Sequence, residues 1–172
     1  MKRFAALTAL LLASSLALAH GPTRQKVTET VTIKASPDAV WAKVKDFGGL
    51  QNWHPAVASS SVTDGSKEGS LRVLTLKDGG KVEETLESLD EGAKKFSYRA
   101  KDGGALPVSN YTSTLSVKAG DGGTTVVERR GAFYRAYTNN DPPPDKNDEA
   151  AVKAITGVYT SGLANLKKIM EQ

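Results

Sequence analysis

The sequence predicts an α+β domain, a curved antiparallel β-sheet of six to seven strands wrapped around a long C-terminal α-helix, with a short helical pair after the first strand. Three observations carry this. Apolar residues recur every three or four positions through Val152, Ile155, Tyr159, Leu163, Leu166 and Met170, writing one stripe down a helix of about six turns. Between Val57 and Ala132 the chain alternates β-type runs with Asp-Gly turns. Ahead of them stand one strand-like run and a well-marked helix start.

The first nineteen residues read as an export signal. Lys2 and Arg3 form a basic start, Phe4 to Leu16 is an apolar run, and Ala17-Leu18-Ala19 is a small-x-small cleavage site, so the mature chain is expected to begin at His20. The run is short for a membrane span, which needs about 20 apolar residues. An exported protein of a bacterial periplasm is the expectation. Cleavage leaves 153 of the 172 residues, enough for one domain with its own core, and removal of Lys2 and Arg3 lowers the net formal charge from +4 to +2. That charge is too mild to argue for nucleic acid. The absence of cysteine excludes disulfides and thiol chemistry.

Residues 20–25 read as a flexible polar arm, and residues 26–172 as a single domain. Val27, Glu29, Val31 and Ile33 alternate with threonines and lysines as a half-buried strand. Ser36 as N-cap, Pro37 at the first helical position and Asp38 in the first turn start a helix whose buried face is Val40, Trp41, Val44 and Phe47. Gly48-Gly49 breaks it, and Leu50 to Trp53 makes a further turn before Pro55. Strands follow at Leu71–Leu76, Lys81–Leu89, Lys95–Ala100, Ser109–Val117 and Thr124–Phe133, with partial alternation (Leu71, Val73, Thr75; Phe96, Tyr98; Tyr111, Ser113, Leu115, Val117). Asp64-Gly65, Asp78-Gly79-Gly80, Asp90-Glu91-Gly92, Asp102-Gly103-Gly104 and Asp121-Gly122-Gly123 supply the turns. Pro142, Pro143 and Pro144 block helix, Asn147 or Asp148 caps the last one, and the small residues Ala150, Ala154, Gly157 and Ser161 run beside its apolar stripe. A bent sheet packed on one helix tends to leave a gap where small ligands bind.

Residues Val31–Phe47 and Leu50–Val57, with Glu84 to Asp90, Tyr98, Asn110-Tyr111 and the stretch from Asp141 to Lys167, resemble the START-like, polyketide-cyclase-like SRPBCC superfamily. The resemblance implies a helix-grip fold over nearly all of the mature chain. Because the superfamily spans carriers, cyclases, hydrolases and proteins with no known ligand, it implies no single activity. The export signal, the His20-Gly-Pro start, Trp53-His54-Pro55 and the proline-rich loop together are similar to the MxaD family of periplasmic accessory proteins of methanol oxidation. That similarity implies a helper that promotes contact and electron transfer between methanol dehydrogenase and its cytochrome c acceptor. It implies no cofactor of the chain's own.

His54 is the one histidine inside the folded region, and two readings stand for it: a general acid or base, or a hydrogen-bonded group fixing its loop. Trp53, His54, Glu84, Tyr98, Tyr111, Tyr134 and Tyr159 are the candidates for lining a ligand cavity, which would suit a small hydrophobic or aromatic molecule. Trp41 is expected in the core. The α-amino group and imidazole of His20 are a candidate copper chelate, or a remnant of processing on a mobile arm; there is no other metal-ligand spacing. Arg129, Arg130 and Arg135, with Lys94-Lys95 and Lys167-Lys168, are candidates for a basic docking surface. The stiff Pro142–Pro144 segment is either a docking element or a rigid connector. Three functions therefore compete: an accessory protein of methanol oxidation, a periplasmic carrier or sensor of a small hydrophobic ligand, and a cyclase- or hydrolase-type enzyme using His54. The lack of a nucleophilic cysteine, metal cluster or recognisable triad weighs against the third.

Overall fold

The computed structural model describes residues 21–172. The export signal, its cleavage site and His20 lie outside the described residues. Seven strands form one antiparallel sheet: β1 (Gln25–Ile33), β2 (Val57–Val62), β3 (Leu71–Leu76), β4 (Lys81–Asp90), β5 (Lys95–Ala100), β6 (Val108–Ala119) and β7 (Thr125–Arg135). Their spatial order is β1-β7-β6-β5-β4-β3-β2, so β2 to β7 run as a meander and β1 closes onto β7. Helix α1 (Pro37–Val44) and a 3₁₀ turn (Phe47–Asn52) fill the connection from β1 to β2, and the long α2 (Asp148–Met170) lies across the inner face. The pairing register shifts between Val57 and Ser59, Leu86 and Ser88, and Ser109 and Thr112, irregularities of the kind that add local twist and bend to a sheet.

Both helix starts follow the local chemistry. Ser36 Oγ accepts the Ala39 N–H at 3.3 Å, with Pro37 at the first helical position. Asn147 Oδ1 accepts the Ala150 N–H at 2.8 Å and so, rather than Asp148, caps α2. The cap is worth about 1 kcal/mol. The buried inner face of α2 (Ile155, Tyr159, Leu163 and Leu166) is worth about 2 kcal/mol per side chain, so apolar burial anchors the helix.

Two features depart from the sequence reading. In β3 the alternating set Leu71, Val73 and Thr75 is only half buried, and the inner positions are Arg72 and Leu74. In the β4–β5 turn, φ is positive at Lys94 rather than at Gly92. The glycines of α2 divide between its faces. Gly157 and Ser161 are exposed, whereas Gly162 is buried against His54. A Cβ at Gly162 would stand 2.6 Å from His54 Cδ2, while one at Gly157 would meet nothing within 4 Å.

That contrast predicts opposite outcomes for the same substitution. Gly157→Ala gains helix propensity in open space and should stabilise the protein by up to about 1 kcal/mol. Gly162→Ala must displace a packed imidazole and should destabilise it by about 1–2 kcal/mol net. Urea unfolding of the two variants checks both signs.

Candidate ligand site

The gap between the sheet and α2 is filled by a buried polar layer. Arg72 on β3 and Glu84 on β4 stand directly opposite in register, and Arg72 Nε–H donates to Glu84 Oε2 at 2.6 Å with both side chains no more than 3% exposed. Arg72 Nη1 donates to the Phe47 carbonyl at 2.8 Å. Its guanidinium lies 4.0 Å from the centroid of the Phe47 ring and 4.9 Å from that of Tyr98. From β7, Arg129 donates through Nη2 to the Tyr98 hydroxyl and lies 4.4 Å from the centre of the Tyr159 ring.

Three hydroxyls form a chain beside Arg129. Tyr111 and Tyr159 Oη are 2.8 Å apart, Tyr159 donates to Ser113 Oγ at 2.9 Å, and Ser113 donates to the Arg130 carbonyl at 3.2 Å. Gly131 makes room for this chain, because a Cβ there would collide with Tyr159 Oη. Burial pushes the Tyr159 hydroxyl up to about 12 and that of Tyr111 well above the ordinary tyrosine value. Both are protonated hydrogen-bonding groups at neutral pH.

His54 is also buried. Its Nε2 is 2.9 Å from the Val158 carbonyl on α2 and its Nδ1 accepts the Ala56 N–H at 3.3 Å, which assigns the proton to Nε2. Burial, reinforced by the positive charge of Arg129 and opposed by the bond to Val158, lowers its pKa to about 4. The ring is therefore neutral at pH 7 with both nitrogens engaged. Of the two roles open to this histidine, this geometry matches fixing the Trp53-Pro55 loop to α2. Asn165 Nδ2 donates to the Trp53 carbonyl at 2.9 Å and ties the same loop to the next turns of that helix.

The space left in the gap is a cavity of about 10 Å³, on the scale of one water molecule, lined by Trp53, Tyr98, Arg72, Arg129 and neighbouring apolar side chains. Of the seven candidate lining residues, Trp53 and Tyr98 reach it. Glu84, Tyr111, Tyr159 and His54 belong to the polar layer around it. Tyr134 does not belong there, because Phe133 and Arg135 point inward and strand alternation turns Tyr134 to the outer face.

The basic docking candidates also need correction. Arg129 and Arg135 are buried, and of the three arginines only Arg130 is exposed on the outer face. Arg135 holds the loop before α2, donating to the carbonyls of Tyr137 (2.9 Å) and Asn139 (3.1 Å) and pairing with Asp148 at 3.0 Å. Pro143 and Pro144 are exposed and Pro142 is half buried, with Pro144 opening a single 3₁₀ turn. Trp41 is in the core as expected, its indole N–H bonded to Glu91 Oε2 at 2.6 Å. Among the described residues, no group of three or more histidines and carboxylates could hold a metal ion, and no helix is long and apolar enough to cross a membrane.

Residues 24–171 match the family model described as polyketide cyclase / dehydrase and lipid transport. The chain belongs to this family. Among solved structures, protein XoxI from Bacillus cereus is 31% identical with a TM-score of 0.72, the match covering 84% of this chain and 94% of that one. An uncharacterised protein from Bacillus thuringiensis is 30% identical with a TM-score of 0.72, covering 85% and 98%. The Zhui aromatase/cyclase from Streptomyces sp. R1128 has a TM-score of 0.72 at 17% identity, covering 86% and 94%, and shares the fold. No curated protein matches the chain. The helix-grip architecture is thus that of the polyketide cyclase / dehydrase and lipid transport family, with its sheet–helix gap occupied here by arginine, tyrosine and carboxylate side chains.

Two measurements test this layer. Glu84→Leu strands the Arg72 charge and should cost about 3–5 kcal/mol, whereas Arg72→Met combined with Glu84→Leu should recover most of that loss. The pH dependence should carry the His54 signature. Its folded pKa lies below the unfolded 6.5, so its contribution to stability is complete above pH 6.5 and is lost as pH falls to about 4. Between pH 7 and pH 5 the wild type should lose about 2 kcal/mol more than His54→Gln in urea unfolding.

Proposed function

We propose that the chain acts by binding, as a periplasmic accessory protein of methanol oxidation that promotes contact and electron transfer between methanol dehydrogenase and its cytochrome c acceptor. The observation that carries the non-catalytic part of this reading is how little space the interior leaves. The cavity is about 10 Å³, and the one histidine inside the domain is neutral with both ring nitrogens engaged. A catalytic pocket of this family's architecture would need room for a substrate and a group free to move protons.

The specific role draws its support from the resemblance of the export signal, the Trp53-His54-Pro55 loop and the proline-rich segment to the MxaD family. It also draws on the exposed Pro143 and Pro144, in a loop that Arg135 pins on either side of them at Asn139 and Asp148. A pre-ordered exposed segment loses less entropy on docking. A carrier of a hydrophobic ligand would need α2 to swing away from the sheet, breaking the Tyr111–Tyr159 and His54–Val158 bonds.

The deciding assay is methanol dehydrogenase turnover with its cytochrome acceptor, with and without the chain from His20 onward. A dose-dependent rise in cytochrome reduction is the expected result, unchanged in His54→Gln. No change over a wide concentration range sinks the accessory reading for that pair. A substrate turned over by the chain alone sinks the non-catalytic one.

A further inference from the structure

The sheet–helix gap carries an unbalanced charge. Two guanidinium groups, Arg72 and Arg129, share it with one buried carboxylate, Glu84, while His54 stays neutral. Glu84 is engaged by Arg72 at 2.6 Å. Arg129 spends Nη2 on the Tyr98 hydroxyl and its face on the Tyr159 ring, and its Nη1 is buried with no hydrogen-bond partner. Arg72 and Arg129 both line the small cavity. The other acidic group on its wall, Asp46, belongs to an exposed residue, and its carboxylate accepts the Gly48 N–H at 3.0 Å.

A buried N–H without a partner and a buried cation without a counter-charge are both costly. A water molecule in the cavity would answer the first cost and leave the second. An anion answers both. The volume sets its size: space on the scale of one water takes a monatomic anion only with a small outward shift of the side chains that line it, and is too small for sulfate, phosphate or an aromatic acid.

We propose that this cavity is a binding site for a small monovalent anion of the chloride class, held by Arg129 Nη1 with the Arg72 guanidinium alongside. The site neutralises the excess positive charge of the core and couples anion binding to the stability of the domain. It is independent of the surface role proposed above, and neither stands on the other.

Thermal unfolding in sodium chloride against sodium gluconate at matched ionic strength tests it. Chloride should raise Tm saturably, by about 3–6 °C when ten-fold above its dissociation constant. Bromide should act alike, Arg130→Gln should keep the effect, and Arg129→Gln should lose it. A rise that does not saturate, or is equal in Arg129→Gln, is a general salt effect and overturns the site. Should Arg129→Gln fail to fold, wild-type crystals grown in bromide decide by anomalous scattering. A peak within hydrogen-bond distance of Arg129 Nη1 supports the site, and a water there with no such peak overturns it.

Discussion

Two guanidinium groups are buried between a curved sheet and the helix that covers it, and most of the interior is arranged to make that tolerable. A charge removed from water is stable only where hydrogen bonds and opposite charge replace its hydration. Arg72 obtains these from Glu84, from the Phe47 carbonyl and from two aromatic faces. Arg129 obtains them in part, from Tyr98 and from the face of Tyr159. The 3₁₀ turn is thus more than a connector, since its Phe47 supplies both an acceptor and a ring to Arg72. Likewise α2 contributes Tyr159 to cover Arg129, and not only an apolar stripe.

The same requirement explains where side chains are missing. Gly131 and Gly162 are points at which a polar group from one layer meets the backbone of another, Tyr159 on the sheet and His54 on the helix. Each allows a contact that a Cβ would block. His54 and Asn165 then lock the loop after the 3₁₀ turn to α2, so that loop, helix and sheet close as one unit around the polar layer. A family architecture that can leave a gap at this place is here used to hold charge.

The element order was legible because it rests on local signals: the Ser36-Pro37 start, the Asp-Gly turns and the three-and-four spacing of α2. β3 and β5 begin and end where the alternation and the turns place them. The polar layer was less legible, because an arginine in a strand reads as solvent-facing until its partner is known. A signal did exist for one pair. Arg72 and Glu84 stand six residues either side of Asp78, so a hairpin centred on that turn must face them. Nothing comparable marks Arg129, whose neighbours Tyr98 and Tyr159 come from remote parts of the chain. Tyr134 was misplaced for a parity reason, since one step along a strand exchanges inside for outside. Arg135 escaped because its partners are mainly carbonyl oxygens of the following loop, which side-chain patterns do not show.

Strand β1 has a consequence for the order in which the molecule can be assembled. It sits at the sheet edge and pairs with β7, Gln25 opposite Phe133 and Ile33 opposite Thr125. Its flanks are tied to the two ends of α2, Thr23 to Asp148 and Lys34 to Glu171. The first strand to leave the ribosome thus finds its partners only in the last third of the chain. Such wiring raises contact order and delays closure until synthesis is complete. The hairpins of β2 to β7 can pair as they emerge, but the domain stays unclosed, with β1 waiting at its edge, until β7 and α2 have been made.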